Sequence, residues 1–303
     1  MKKLALCILL TITAICTQAQ ITPTATYEYV KRDSSLYFDF YKSANSADNY
    51  TVVYVFGGGF VGGARNEEYY MPYYKRLVDS SFNVVAIDYR LGLKGVHNIT
   101  PINRKPLENA IEMAAEDLLT ATKYLIEHEK DLQIDSRKII LAGSSAGAIT
   151  VLQADYELCN HTTIGQILPE GFHYAGVISF AGAIYSKKGK VKYRSQPPAP
   201  TMFIHGTADR LVTYKQIKLF NVGFIGSSKI VPQFDKKGYP YYFVRYEGLG
   251  HEAAVRVLYD FDKALWFVDN YIVRGAKIKR NDLINDPTIE RLKFGSVKPS
   301  DVY

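Results

Sequence analysis

Lys138-Ile139-Ile140-Leu141-Ala142-Gly143-Ser144-Ser145-Ala146-Gly147-Ala148-Ile149-Thr150-Val151-Leu152-Gln153-Ala154 is the stretch whose reading decides the architecture. Its first five residues are apolar and β-forming. Its last seven can be helical. Between them Gly143, Ser144, Ser145, Ala146 and Gly147 spell G-x-S-x-G. A strand, a sharp turn and a helix make the setting in which that pattern presents a serine hydroxyl above a sheet. The turn strains the backbone of Ser145, and the flanking glycines let strand and helix come close without a Cβ clash.

Strand and helix signals alternate outward from this point. Residues 51–56, 83–88, 174–180, 201–205 and 241–246 read as strands beside 138–142, and 35–41 alternates as an early edge strand. The run at 51–56 is continuously β-branched and aromatic, as a strand buried on both faces should be. Helical signals fall at 67–79, 107–129, 145–158, 214–224 and 252–273. In the longest, Ile111, Ala114, Ala115, Leu118, Leu119, Thr122 and Leu125 share one face. The alternation predicts an α/β fold, a mostly parallel central sheet with helices on both faces. One catalytic domain is expected over 20–303, with its core at about 36–274 and an irregular tail over 275–303.

Three other features stand where strands end, the position at which open α/β sheets carry their ligands. Phe56-Gly57-Gly58-Gly59-Phe60 follows the strand at 51–56. Consecutive glycines let backbone N–H groups crowd against a developing alkoxide. Asp209 lies in His205-Gly206-Thr207-Ala208-Asp209, just past 201–205. His251 lies in Glu247-Gly248-Leu249-Gly250-His251, just past 241–246. A serine nucleophile needs a base and a group to orient that base, and here the chain order is Ser145, Asp209, His251. Of the other histidines, His205 ends a strand and is expected to support the Asp209 loop. Asp235 is the next carboxylate by position.

With these residues in place, the chain resembles the α/β-hydrolase superfamily, and within it the secreted carboxylesterases of the hormone-sensitive-lipase and feruloyl-esterase-like groups. The matching segments are Phe56-Gly57-Gly58-Gly59-Phe60, Ile87-Asp88-Tyr89-Arg90-Leu91, Ile134-Asp135 with Arg137, Gly143-Ser144-Ser145-Ala146-Gly147, His205-Gly206 with Asp209, and Gly250-His251. The resemblance implies Ser145 as nucleophile, His251 as base, Asp209 as orienting acid, and the N–H groups of Gly58, Gly59 and Ala146 as oxyanion donors. It implies no metal and no organic cofactor. Phe56 stands where the family usually has His, which removes a side chain that would buttress the glycine loop. Ser144 and Ala148 replace an acidic residue and a glycine common in the best-known lipases.

The expected activity is hydrolysis of small-acyl carboxylic esters, on a small-molecule or glycan-linked substrate with a carbohydrate or aromatic body. The same triad also serves serine peptidases and thioesterases, and an inactive binding protein could keep the fold. Loops at 92–106 and 183–200 are expected to wall the pocket, with His97, Asn98, Tyr185, Tyr193 and Arg194 available to it. Neither residues 20–50 nor residues 183–200 are long enough to build a lipase-like acyl tunnel, so acetate to butyrate should suit best.

Composition narrows the partners. The formal charge of +7 is a diffuse surplus, and no basic cluster is interleaved with aromatics, so nucleic acid is not an expected partner. Lys2 and Lys3, apolar residues 4–15 and Thr17-Gln18-Ala19 read as a signal peptide over 1–19, cleaved before Gln20, so export to a periplasm or beyond is expected, without stable membrane contact. A lipoprotein acylated at Cys16 is the second reading, though Thr13-Ala14-Ile15 fits the required box poorly. After either cleavage at most one further cysteine, Cys159, remains beyond the leader, and no Cys/His cluster has zinc spacing.

Overall fold

A computed structural model describes residues 21–44, 48–97, 99–100 and 102–292 of the chain. The expected signal peptide at 1–19, with Cys16, and Asn98 lie outside the described residues.

The strands in chain order are β1 (Ala25–Lys31), β2 (Ser35–Tyr41), β3 (Thr51–Val55), β4 (Asn83–Ile87), β5 (Ile139–Ser144), β6 (Gly176–Phe180), β7 (Ala183–Ser186), β8 (Thr201–Gly206), β9 (Gln216–Leu219), β10 (Val222–Gly226), β11 (Tyr241–Tyr246) and β12 (Lys279–Ile284). The α-helices are α1 (Met71–Asp79), α2 (Lys105–Glu127), the single turn α3 (Glu129–Leu132), α4 (Ala146–Cys159), α5 (Ser227–Lys237) and α6 (Phe261–Phe267). Nine strands form the main sheet in the order β1-β2-β4-β3-β5-β6-β8-β11-β12, while β7, β10 and β9 form a small separate sheet. In the main sheet β1–β2 and β2–β4 pair antiparallel and every other pair is parallel.

Strand register explains why helices cover both faces. Phe38, Ile87 and Val55 stand in one cross-strand row and share a face. Phe38 meets Tyr124 of α2 there, with ring centroids 5.5 Å apart. Tyr54, one position back, points to the opposite face, onto Tyr73 and Tyr74 of α1, both at 5.4 Å. Burial on both sides is what β3, β4 and β5, apolar along nearly their whole length, require.

Four expectations are corrected. The strand at 35–41 is not an edge, because β1 pairs outside it. Residues 214–224 are not helical: β9 and β10 form a hairpin, and the helix α5 follows it. Its turn is concealed because Phe220 takes φ 52°, a left-handed conformation usually left to Gly or Asn. Residues 252–273 are not one helix. A 3-10 turn (His251–Val255) gives way to a break before α6, and α6 runs into a π-helical turn (Val268–Val273). At the break the Val255 carbonyl accepts from the Tyr69 hydroxyl at 2.7 Å, and Leu258 accepts from Arg76 at 3.3 Å. The tail is not wholly irregular, since β12 adds a parallel strand to β11. Its Lys279, Arg280 and Asp282 are the charged residues that blunt a sheet edge.

Candidate active site

Ladder register brings the site together. Val55 pairs with Gly143, so the loop after β3 emerges beside the turn after β5. Gly206 pairs with Tyr246, so the loops after β8 and β11 also emerge side by side. Those two are stitched further by Ala208 N donating to Leu249 O at 2.8 Å and Gly248 N donating to Thr207 Oγ1 at 2.8 Å.

Ser145 sits at the turn between β5 and α4 with φ 54° and ψ −118°, a strained conformation for a residue with a side chain. The strain persists because the surroundings hold it: Ser145 N donates to Phe180 O at 2.9 Å. A Cβ on Gly147 would lie 2.0 Å from Val55 O, so only glycine lets α4 press against the end of β3. Ser144 turns the other way, and its hydroxyl donates to Ala254 O at 2.7 Å.

Ser145 Oγ lies 2.7 Å from His251 Nε2, and His251 Nδ1 lies 2.8 Å from Asp209 Oδ2. Asp209 and His251 are each 5 % exposed. The other Asp209 oxygen accepts the backbone N–H groups of Leu211 and Val212, both at 3.0 Å. Burial pushes the Asp209 carboxyl up, but hydrogen bonds and charge from His205 and His251 overcome it and hold the group at about 2. Asp209 is therefore a carboxylate at neutral pH, fit to fix one imidazole tautomer. Asp235, by contrast, lies on α5 and pairs with Lys279 at 3.1 Å.

The glycine loop faces this triad. Gly58 has φ 126°, and a Cβ there would lie 2.1 Å from Gly62 O, so the loop folds tightly on itself. Gly58, Gly59 and Ala146 line one cavity with Ser145 and His251. Ala146 is the first residue of α4, where backbone N–H groups point out of the helix and favour negative charge. The space left by the absent loop histidine is closed by aromatics. Phe56 packs on Tyr89 at 4.5 Å, and the Tyr89 hydroxyl donates to Phe56 O at 3.0 Å. On the other side Gly57 N donates to the Tyr70 hydroxyl at 3.1 Å. Burial pushes the Tyr70 phenol up, so it stays neutral.

Comparison with known proteins agrees with this frame. The BD-FAE family model matches residues 38–184, which take in the glycine loop and Ser145 but end before Asp209 and His251. No curated protein matches the chain. The apo form of Thermogutta terrifontis esterase 2 superimposes with a TM-score of 0.57 at 21 % identity, covering 85 % of this chain and 96 % of that one. The native form of the same thermophilic planctomycete esterase gives 0.59 at 20 % identity, over 84 % and 93 %. Its butyrate-bound form gives 0.57 at 19 %, over 85 % and 96 %. The chain has the α/β-hydrolase fold. A shared fold does not carry an activity, so the chemistry must be argued from the site.

The cavity over Ser145 measures about 670 Å³. Of the expected wall, Tyr185 lines it, together with Ile99, Thr100 and Arg104 from the 92–106 loop. His97 does not. Tyr193 turns inward instead, edge-on to Tyr156 and Phe234 at 5.7 Å each, because that aromatic cluster buries its ring. Arg194 is exposed and does not line the cavity. Sequence reasoning missed Tyr70, which falls inside the helical signal at 67–79 among other tyrosines. It also missed the β9–β10 hairpin, which supplies Ile217, Leu219, Val222 and Phe224. Alternation on both sides of Phe220-Asn221 was the available signal. Among the described residues no group of three or more His, Cys, Asp or Glu side chains could hold a metal ion, and no helix is long and apolar enough to cross a membrane.

Proposed function

We propose that the protein is a serine carboxylesterase acting on short-acyl esters. The observation that carries this reading is the unbroken relay from Ser145 Oγ through His251 to Asp209, 2.7 Å and 2.8 Å long, opening on the glycine loop. Ser145 Oγ attacks the ester carbonyl and its proton passes to His251 Nε2. Asp209 accepts the Nδ1–H and stabilises the imidazolium. The carbonyl oxygen becomes an alkoxide held by the N–H groups of Gly58, Gly59 and Ala146, each donor contributing about 3 kcal/mol in comparable sites. The C–O bond to the alcohol breaks, and His251 returns its proton to the leaving oxygen. Water then attacks the acyl-enzyme by the same steps, releasing the acid and restoring Ser145.

A short acyl group is supported by the fold neighbour, which has been solved in propionate-bound and butyrate-bound forms. Export follows from the leader at 1–19, and intact mass from a native-like host should give a chain starting at Gln20. Turnover of p-nitrophenyl acetate, an aminoacyl-nitroanilide and an acyl thioester by the purified protein tests the activity. The ester should be cleaved with the highest kcat/KM. Preference for the anilide or the thioester would replace the reading with peptidase or thioesterase.

A further inference from the structure

The small sheet has two unlike faces, and the inner one belongs to the cavity. Phe224 of β10 pairs with Tyr185 of β7 on one side and with Ile217 of β9 on the other, making one row across all three strands. Val222 and Leu219 pair in the same sense two residues along. Alternation puts all five side chains on one face, and all five line the cavity above Ser145. Lys218 and Gln216 are turned to the other face.

The hairpin is tied to the triad at both ends. His205 is wholly buried; its Nε2 lies 3.0 Å from Val212 O, where the chain enters the hairpin, and its Nδ1 lies 2.8 Å from Ser227 Oγ, where the chain leaves it. The same Nε2 is 3.4 Å from the Asp209 carboxylate. Gly226 N donates to Lys215 O at 2.8 Å and closes the base. The wall is therefore held in register with Asp209.

We propose that the inner face of this hairpin sheet binds the alcohol half of the substrate, and that this half is an aromatic or branched alkyl group rather than a sugar. The assignment rests on the short-acyl esterase reading above. A four-carbon acyl group fills about 120 Å³ if each carbon takes roughly a water's share of 30 Å³, which leaves most of a cavity of about 670 Å³ to the alcohol. Each sugar hydroxyl brought from water needs a replacement partner. Ile217, Leu219, Val222 and Phe224 offer only carbon to it, the Tyr185 hydroxyl already donates to Glu108 Oε2 at 3.1 Å, and an apolar ring or branched chain is what such a face selects.

Two ester series read with the full protein test this. One varies the alcohol at fixed acetyl: ethyl, 2-phenylethyl and 2-(2-naphthyl)ethyl acetate, whose leaving alcohols have similar acidity, beside glucose pentaacetate. The other varies the acyl chain of p-nitrophenyl esters. The wild-type kcat/KM should rise about tenfold or more from ethyl to naphthylethyl, in line with the discrimination that added carbons earn in an apolar pocket. Ile217→Ser/Phe224→Ser should flatten that rise and leave the acyl optimum where it was, while Lys218→Ser, on the other face, should leave both unchanged. Titration with a fluorophosphonate counts the fraction of each variant with a competent triad, so a damaged triad cannot imitate the result. A double variant that keeps the rise, a shift of the acyl optimum instead, or a preference for glucose pentaacetate overturns the proposal. Absence of turnover on every ester by the wild type overturns the esterase reading itself, and this assignment with it.

Discussion

The two sheets of the molecule meet at one cavity and are built by opposite rules. The main sheet sends out the glycine loop, Ser145, Asp209 and His251 from strands buried along their length, each exit fixed by neighbouring ladders. The small sheet has one face on the cavity, the other toward solvent at Lys218, an open outer edge at β9, and a tip at which Phe220 is 83 % exposed. Groups that must hold a reacting geometry within fractions of an ångström need supports that cannot shift. A wall that chooses among substrates needs only shape and chemistry, and a half-buried hairpin can change both without disturbing the core. On the proposed function, chemistry belongs to the main sheet and selection to the small one.

The largest effect should come from the main sheet. Ser145→Ala should lower kcat by on the order of 10⁴-fold or more while leaving the melting temperature unchanged or raised, since it removes the nucleophile and no packing. Steady-state kinetics and thermal unfolding check this together. Next is Asp209→Asn, with an expected loss on the order of 10³-fold to 10⁴-fold in kcat, because the amide cannot hold the imidazole tautomer that the carboxylate holds. If a hairpin substitution matched either loss, the division between the sheets would break.

A third prediction separates stability from chemistry inside the main sheet. Asp155 is buried on α4 near Cys159 and Ala199, and burial pushes its carboxyl up to about 7 against the weaker opposing effect of those neighbours. The unfolded chain releases this proton near pH 4, but the folded chain only near 7. Between those values the folded state holds a proton that the unfolded state does not. Stability from this group is thus full below about pH 4, falls as pH rises to about 7 and is not regained above it. Asp155→Asn should raise unfolding free energy at pH 8 by about 2–4 kcal/mol and flatten the slope between pH 4 and 7, with kcat unchanged. Urea unfolding at pH 4, 6 and 8 measures it, and equal stabilities of the two proteins at pH 8 would count against it.

The smallest effect sharpens the comparison at the boundary of the glycine loop. Tyr70→Phe removes the acceptor of the Gly57 N–H and keeps the ring in its aromatic cluster. The expected loss is about tenfold in kcat with KM little changed, as for a buried donor left unpaired beside the oxyanion position. A change in KM alone would make Tyr70 a pocket wall and not a support of the loop.

What could be read from residues alone follows the same division. The strands at 51–55, 83–87 and 241–246, the turn at Ser145, and the loop positions of Asp209 and His251 were all legible. Buried parallel strands are uninterrupted apolar runs, and glycines mark where backbone must approach backbone. The hairpin was only faintly legible: its alternation flanks Phe220-Asn221, but Phe220 occupies a turn position usually left to Gly or Asn, and four-residue β9 is short enough to read as helix. The strand β12 hid behind its charges, which protect an edge and read as a solvated tail. Tyr70 could not be singled out: that its hydroxyl meets Gly57 N and not solvent depends on tertiary packing.

The claim on which the rest depends is that Ser145, and not Ser144 beside it, is the activated nucleophile. Peptide mapping by mass spectrometry after reaction with a fluorophosphonate tests it most directly. The expected result is one adduct per chain, on Ser145, retained in Ser144→Ala and absent in Ser145→Ala. An adduct on Ser144, or continued labelling of Ser145→Ala with ester turnover intact, would contradict the account.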